Sequence, residues 1–237
     1  MIFAAGLGTR LGIVTQSIPK ALVPVAGVPI LERVANRLVS AGAERLIINT
    51  HHLAEQIAAF VASKHDFGVE VLLSAEPTRP LETGGGLLRA SGLFQGRDPF
   101  FLHNVDIVSD LPLERVYATH LERAPLATLV VMERQSSRAL LFDDQGLLGR
   151  VDDSKALRIE ARPCRGTVHR LAFCGIHVVS PTLPGQITEE GVFSILDPYL
   201  RLVAEGHRIE PFRADGYAWV DIGRPDSLAE ASAMIGR

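Results

Sequence analysis

Strand-like and helix-like stretches alternate through the first half of this sequence. Apolar runs with strand character occupy 1–5, 45–49, 69–73 and 99–103, and apolar residues at helical spacing occupy 30–40, 53–63, 84–91 and 113–120. Because a helix separates each strand from the next, consecutive strands are expected to run parallel, with helices on both faces of the sheet. The order predicts an α/β fold with three layers around a mostly parallel sheet.

The pattern changes after Leu126. Strand-like runs follow at 127–133, 139–143, 147–151, 168–179, 208–212 and 217–220, with helices at 194–204 and from Pro225 onward. Short turns such as 143–146 join several of these runs, which favours antiparallel pairing. No linker or internal repeat interrupts the sequence. We therefore expect one domain over 1–237, whose second half adds antiparallel strands and a lid and makes the sheet mixed.

Composition excludes several classes of partner. The 237 residues are 47% hydrophobic, which is enough for one substantial core. With 24 basic and 27 acidic side chains, the sequence lacks the basic excess that is typical of nucleic-acid-binding proteins. No apolar run approaches the roughly 20 residues that a membrane span needs, and no signal peptide is evident. The two cysteines, Cys164 and Cys174, are expected to be reduced thiols. We expect a cytoplasmic protein that binds neither nucleic acid nor membranes.

The first strand leads into a glycine loop that ends in Arg10, and Lys20 follows ten residues later. Glycines let backbone N–H groups approach anionic oxygens closely, and a guanidinium binds such oxygens in a bidentate manner. The third glycine of a dinucleotide fingerprint would fall at Leu11, and a Walker A lysine is missing. The loop therefore predicts a phosphate site, and it argues against a dinucleotide-dependent oxidoreductase. A tight strand-to-helix turn is the simpler alternative for the two glycines alone.

Three consecutive glycines, 84–86, open a predicted helix for which Thr83 is a plausible N-cap. Each glycine costs about 1 kcal/mol of helix propensity, so some neighbour is expected to need the space. We expect a flat ring or a sugar against this backbone, with a flexible loop as the alternative.

Two aspartates end apolar strands, Asp106 after 99–103 and Asp221 after 217–220. Ligands bind at the carboxyl ends of strands in open α/β sheets, and two carboxylates there could jointly hold Mg²⁺. Either aspartate alone would fit a turn or a helix cap equally well. The histidines 51, 52 and 103 have no zinc-site spacing and are expected to be structural.

Several motifs together resemble the sugar-1-phosphate nucleotidyltransferases. Residues 3–30, FAAGLGTRLGIVTQSIPKALVPVAGVPI, are similar to that family's opening signature, and the later matches are PLETGGG (80–86), NVD (104–106), FCGIHVVSP (173–181) and WVDIGRPDSL (219–228). The resemblance implies a Rossmann-like fold and an ordered reaction of a nucleoside triphosphate with a sugar 1-phosphate. It implies a nucleotide-binding half, 1–125, and a sugar-binding half, 126–237.

The resemblance also implies site roles. Arg10 and Lys20 would be catalytic, and Asp106 and Asp221 would bind Mg²⁺ as the cofactor. Nucleotide-binding residues would be Ala4, Ala5, Gly6, Gly8, Thr9, Arg10, Glu76, Pro80, Thr83, Gly84, Gly85 and Asn104. Sugar-binding residues would be Glu160, Gly175 and Asp221.

The sequence departs from the family pattern at four places. The family commonly has Pro-Leu-Thr at 13–15 and Pro-Lys-Pro at 19–21, and the residues here are expected to alter loop stiffness but not chemistry. Val105 replaces a usual glycine and is expected to narrow the space beside the nucleotide. A glutamate-lysine pair is usual where Glu160 precedes Ala161.

The resemblance leaves the substrates open. The short length argues against members that carry a C-terminal β-helix, and favours UTP with N-acetylmuramate 1-phosphate. GTP with mannose 1-phosphate and CTP with phosphocholine are the alternatives. A non-catalytic regulatory paralogue would be expected to lose Arg10, Lys20 or a metal aspartate, and all of these are present.

Overall fold

The computed structural model describes residues 1–12 and 14–236. The strands are β1 Ile2–Phe3, β2 Pro24–Val25, β3 Val28–Pro29, β4 Arg45–Thr50, β5 Glu70–Ala75, β6 Phe100–Asn104, β7 Ile107–Ser109, β8 Ala127–Met132, β9 Arg138–Asp143, β10 Gly146–Asp152, β11 Leu157–Glu160, β12 His169–Val179, β13 Ile209–Arg213 and β14 Trp219–Asp221. The helices are α1 Val14–Ser17, α2 Ile30–Ser40, α3 Ala54–Ser63, α4 Glu82–Ala90, α5 Leu113–Arg123, α6 Leu196–Ala204 and α7 Pro225–Ile235.

A ten-stranded sheet runs through the molecule in the order β11-β10-β9-β12-β6-β1-β4-β5, with β8 on β12 and β13 on β8. The four strands of the first half, β5, β4, β1 and β6, pair in parallel. Strand β12 then pairs antiparallel with β6, and β9, β10 and β11 continue antiparallel beyond it. The predicted α/β fold with a mixed sheet is confirmed.

Helices cover both faces of this sheet. In β1, Ile2 contributes to one core cluster and Phe3 to the other, as the alternation of strand side chains requires. Helices α2, α3, α5 and α7 supply the first cluster, and α4 and α6 supply the second. The arrangement is the predicted three-layer sandwich.

The strand order places a crevice between β1 and β6. The chain moves from β1 to β4 and β5 on one side, then returns to β6 on the other side. Ligands bind at such a reversal, outside the carboxyl ends of the strands. The glycine loop leaves β1 at this point, and residues 104–106 leave β6 beside it.

Some predicted helix and strand boundaries agree with the structure and others do not. Helix 30–40 is confirmed at both ends. The N-cap at Thr83 is wrong: α4 begins at Glu82, with Leu81 at the N-cap position, and the Thr83 hydroxyl accepts a hydrogen bond from Ile195 N over 3.0 Å. The first strand is shorter than predicted. Strands β2, β3, β7 and β11 were not predicted, because two to four residues carry too little periodicity.

One departure from the family pattern cannot be placed, because Ile13, the first residue of 13–15, lies outside the described residues.

Within 1–12 and 14–236, no helix combines the length and the apolar character that crossing a bilayer requires.

Candidate active site

The glycine loop is held against the segment that carries Lys20. Gly8 has φ +66°, and a Cβ there would lie 2.9 Å from Thr15 Cγ2 and 3.0 Å from Lys20 Cβ. The Thr15 hydroxyl donates to Gly8 O over 3.0 Å. Around Gly6, by contrast, a Cβ would meet no described atom within 4 Å. The loop is therefore closely packed at Gly8 and open at Gly6, where its backbone can meet an anion.

Glu76 ties the glycine loop to the loop before α4. Asn49 Oδ1 accepts from Ala4 N over 2.6 Å, and Asn49 Nδ2 donates to Glu76 Oε1 over 2.7 Å. The other carboxylate oxygen, Glu76 Oε2, accepts from Leu81 N over 2.7 Å. Glu76 is only 1% exposed, so its carboxylate is engaged by the protein and positions two loops. A contact between Glu76 and a nucleotide stays a prediction.

The glycine run of α4 packs against residues 191–193 of the same chain. A Cβ at Gly84 would lie 2.4 Å from the Phe193 ring, and one at Gly85 would lie 2.5 Å from Gly191 O. Both backbone N–H groups donate to Phe193 O, over 3.0 and 3.3 Å. The expectation that a ring or sugar needs this space is wrong, because the chain itself fills it.

We expect Gly85→Ala to lower the free energy of unfolding. Gly92→Ala should change that free energy by no more than about 0.5 kcal/mol. At Gly85 an overpacking cost of about 1–3 kcal/mol exceeds the roughly 1 kcal/mol of helix propensity gained. At Gly92, just after α4, a Cβ would meet no described atom within 4 Å. Urea unfolding of both variants measures the difference, and equal stabilities would contradict the packing role.

Two aspartates 115 residues apart meet at the crevice. Strand β14 pairs antiparallel with β7, which sets Asp221 opposite Ile107, and Ile222 N donates to Asp106 O over 2.8 Å. The buried Lys20 ammonium forms an ion pair with Asp106 Oδ2. The structure therefore brings the predicted lysine and both predicted aspartates together.

Arg10 completes this charged cluster. A Cβ added at Gly223 would lie 3.0 Å from both Arg10 Nη2 and Asp221 Oδ1, so the two side chains flank that glycine. A larger residue at Gly223 would separate them. Arg10 is exposed and stands at the end of the glycine loop.

The aspartate pair could offer carboxylate oxygens to a cation. Asp221 Oδ1 is buried and has no hydrogen-bond partner among the described residues. Burial and the neighbouring Asp106 raise the pKa of Asp221, against the opposing effect of Lys20 and Arg10. In the part of the chain that the structure describes, no group of three or more His, Cys, Asp or Glu residues could hold a metal ion. A hard cation here would take its other ligands from substrate oxygens and water.

A cavity of about 400 Å³ adjoins the charged cluster, and Asn104, Gly175 and Asp221 line its near end. Gly175 has φ +72°, and a Cβ there would lie 2.8 Å from Asn104 Nδ2. Only glycine fits this position. The structure thus brings two predicted sugar residues, Gly175 and Asp221, to one cavity. Glu160 does not line it: its exposed side chain lies on the edge strand β11 and bonds Arg158.

The whole chain, residues 1–237, matches the family described as Nucleotidyl transferase. The chain belongs to this family. Its relatives include the N-acetylmuramate alpha-1-phosphate uridylyltransferase of Caulobacter vibrioides, 30% identical over 99% of this chain and 96% of that protein. The protein of the same name from Neisseria meningitidis serogroup B is 31% identical over 100% of this chain and 97% of its own length. The predicted membership among sugar-1-phosphate nucleotidyltransferases is confirmed.

Solved structures share the fold of this nucleotidyltransferase. The UDP-glucose pyrophosphorylase from Acinetobacter baumanii superposes with a TM-score of 0.77 at 20% identity, over 99% of this chain and 92% of that chain. At this identity the likeness speaks for the fold alone.

The predicted nucleotide residues of this nucleotidyltransferase fall into three groups by exposure. Gly6, Thr9 and Arg10 are exposed, whereas Ala4, Ala5, Glu76, Gly84 and Gly85 are buried, and Gly8, Pro80, Thr83 and Asn104 are half-buried. Their contacts with a nucleotide stay predictions. The Val105 side chain, 4% exposed, packs in the core. The expected narrowing of the space beside a nucleotide stays a prediction.

Sequence reasoning missed Arg134 and Trp219, which line the cavity. The Arg134 guanidinium carbon lies 4.1 Å from the centroid of the Trp219 ring, and Arg134 Nη2 donates to Phe173 O over 3.3 Å. Trp219 Nε1 donates to Cys174 O over 2.9 Å. The sequence did offer one signal for Arg134, because this basic residue comes two positions after the end of the apolar strand β8. The stacked pair gives the cavity a cationic wall.

Proposed function

We propose that this enzyme transfers a uridylyl group from UTP to N-acetylmuramate 1-phosphate, with Mg²⁺, giving the UDP-sugar and pyrophosphate in the cytoplasm. The observation that carries the proposal is the full-length match to two relatives of that named activity. The convergence of Lys20, Arg10, Asp106 and Asp221 beside a cavity of about 400 Å³ supports it. Such a cavity lies within the usual size range of small-molecule sites.

The reaction needs positioning and charge neutralisation more than acid-base chemistry. A phosphate oxygen of the sugar 1-phosphate attacks the α-phosphorus in line, a new P–O bond forms, and the bond to the bridging oxygen of pyrophosphate breaks. The attacking phosphate is ionised near pH 7, because the second pKa of a phosphate monoester is about 6. No side chain therefore has to remove a proton.

Two cationic side chains neutralise the negative charge of the reactants. Lys20 leaves its partner Asp106 and places its ammonium between the two anionic phosphates, whose repulsion opposes their approach. Arg10 stabilises the charge that builds on the departing pyrophosphate. Asp106 and Asp221 would hold Mg²⁺, which when bound supplies further neutralisation of the phosphate oxygens.

We expect pyrophosphate release only when UTP, Mg²⁺ and N-acetylmuramate 1-phosphate are all present. The test crosses UTP, GTP, CTP, ATP and dTTP against N-acetylmuramate 1-phosphate, mannose 1-phosphate, other sugar 1-phosphates and phosphocholine. Chelation with EDTA should abolish release, and added Mg²⁺ should restore it.

Other outcomes of this panel reassign the substrates. Release with GTP and mannose 1-phosphate, or with CTP and phosphocholine, would replace the proposed pair while keeping the reaction. Triphosphate binding without release for any acceptor would contradict the proposed activity altogether.

A further inference from the structure

An irregular part of β12 anchors two side chains of the cavity wall. The pairing of β12 with β8 shifts register between Phe173 and His177. Bulges of this kind are common beside active sites, where they re-aim nearby side chains. Phe173 O accepts a hydrogen bond from Arg134 Nη2, and Cys174 O accepts one from Trp219 Nε1. Consecutive backbone carbonyls thus hold the stacked arginine and tryptophan together.

The stacked pair lies near the aspartates of the crevice. Trp219 and Asp221 are two residues apart on β14, so their side chains leave the same face of this strand. Their Cα atoms are roughly 7 Å apart at the usual rise of a strand. The Arg134 guanidinium, 4.1 Å from the Trp219 ring centroid, lines the same cavity as Asp221 and Asn104. The stack therefore holds a positive charge toward the reacting end of the cavity.

Arg134 has no carboxylate partner in the part of the chain that the structure describes. Its one hydrogen bond there goes to Phe173 O, so most of its five N–H donors are unused. The adjacent Glu133 pairs with Arg213, which also binds Asp215. An exposed guanidinium that is stacked on an aromatic ring and has unused N–H donors is suited to an anion with several oxygens.

We propose that Arg134 binds the phosphate of the incoming sugar 1-phosphate. This inference rests on the proposed function and adds a residue that recognises the acceptor. The acceptor phosphate has to lie where the sugar cavity meets the cluster of Lys20, Asp106 and Asp221, because it reacts there while its sugar occupies the cavity. Arg134 lies in the loop between β8 and β9, in the half of the chain that supplies most of the cavity wall. The triphosphate, by contrast, is expected at the glycine loop of the first half.

The first test separates the acceptor from the nucleotide. We expect Arg134→Met to raise KM for N-acetylmuramate 1-phosphate by roughly 10- to 100-fold, the cost of a lost charge-assisted hydrogen bond. KM for UTP and kcat should stay within about threefold, since binding is lost and not a contact made only in the transition state. Arg134→Lys keeps the charge without the planar fork and should fall between Arg134→Met and the wild type.

Arg208→Met is the matched control, because it removes the same charge at an exposed site. Arg208 pairs with Glu210 and does not line the cavity. Its two KM values should equal those of the wild type. If another sugar 1-phosphate releases pyrophosphate in its place, the comparison is made on that sugar, because every acceptor of this class carries the phosphate.

The second test follows binding without turnover. Trp219 is the only tryptophan in the sequence, so the emission of its indole reports on the ring that Arg134 covers. The sugar 1-phosphate is titrated in the presence of Mg²⁺ and a non-hydrolysable UTP analogue. We expect its binding to change the emission of the wild type, and the midpoint to rise by roughly 10- to 100-fold in Arg134→Met. The midpoint for the UTP analogue alone should be the same in both proteins.

The two tests distinguish failure of this inference from failure of the proposed reaction. Binding that depends on Arg134, without pyrophosphate release, supports the inference and contradicts the proposed function. Pyrophosphate release with an unchanged acceptor KM in Arg134→Met overturns the inference and leaves the proposed function in place. Equal losses for the sugar phosphate and for UTP would also overturn it, because Arg134 would then serve the nucleotide or the fold.

Discussion

Replacing Lys20 with alanine should lower kcat by about 10²- to 10³-fold, the usual cost of removing one group that stabilises charge in the transition state. Lys20 is 8% exposed and pairs with Asp106, so its ammonium is held beside the crevice before substrate arrives. The sequence contains three lysines, and the Cβ of this one packs in the closed space under Gly8. Its ammonium is a compact point charge, whereas a guanidinium is larger and planar, so Lys20→Arg should restore little activity.

Steady-state pyrophosphate release measures this effect, with Lys155→Ala as the control because Lys155 is exposed on a surface turn. Thermal unfolding of the variants should show that Lys20→Ala remains folded. Should that variant fold poorly, Lys20→Met keeps the apolar stem and isolates the charge. A folded variant with near-normal turnover would contradict the assigned role of Lys20.

The sequence carried enough information for the sheet and for half of the site. Alternating strands and helices predicted parallel pairing, and parallel strands end at one edge of the sheet. The glycine loop after β1 and Asp106 after β6 were therefore expected at the same edge of the sheet, and the strand order makes them neighbours. Helix α2 was predicted at its true ends because apolar residues recur at helical spacing along its length.

The other half of the site depends on pairing that leaves no local pattern. Strands β7 and β14 have three residues each, and only their mutual register brings Asp221 to Asp106. A strand was predicted at 217–220, but nothing in either segment shows that the two strands pair with each other. The family resemblance named Asp221 from a motif, but the geometry that makes it a neighbour of Asp106 appears only in the fold.

Two residues that line the cavity, Arg150 and His177, were missed for a related reason. They lie inside ordinary strand segments, where a polar residue in an apolar run usually points to solvent. Both line the cavity instead, which depends on the arrangement of the strands and not on the local sequence. The glycine run of α4 led to the opposite error, because a ligand was expected where the chain itself packs. The residues that fill this space, 191–193, are about a hundred residues away in sequence.

Asp221→Asn should lower kcat by about 10²- to 10³-fold and slightly raise thermal stability. The amide keeps the size of the side chain and removes the negative charge that a cation would meet. Without a cation, the buried Asp221 carboxylate lies near Asp106, and its pKa is raised. A raised pKa in the folded state means that ionisation of Asp221 above its unfolded pKa costs stability. Removing the charge therefore stabilises the fold, while it weakens cation binding and turnover.

Activity and stability should therefore move in opposite directions, which separates loss of a cation ligand from general damage to the fold. Thermal unfolding is measured in EDTA, and turnover is measured over a range of Mg²⁺ concentrations, where the variant should need more Mg²⁺ for half-maximal rate. Asp98→Asn is the control, because Asp98 is exposed and lies outside the cavity. A variant that loses stability along with activity, or one whose Mg²⁺ requirement is unchanged, would show that Asp221 supports the structure and does not hold the cation.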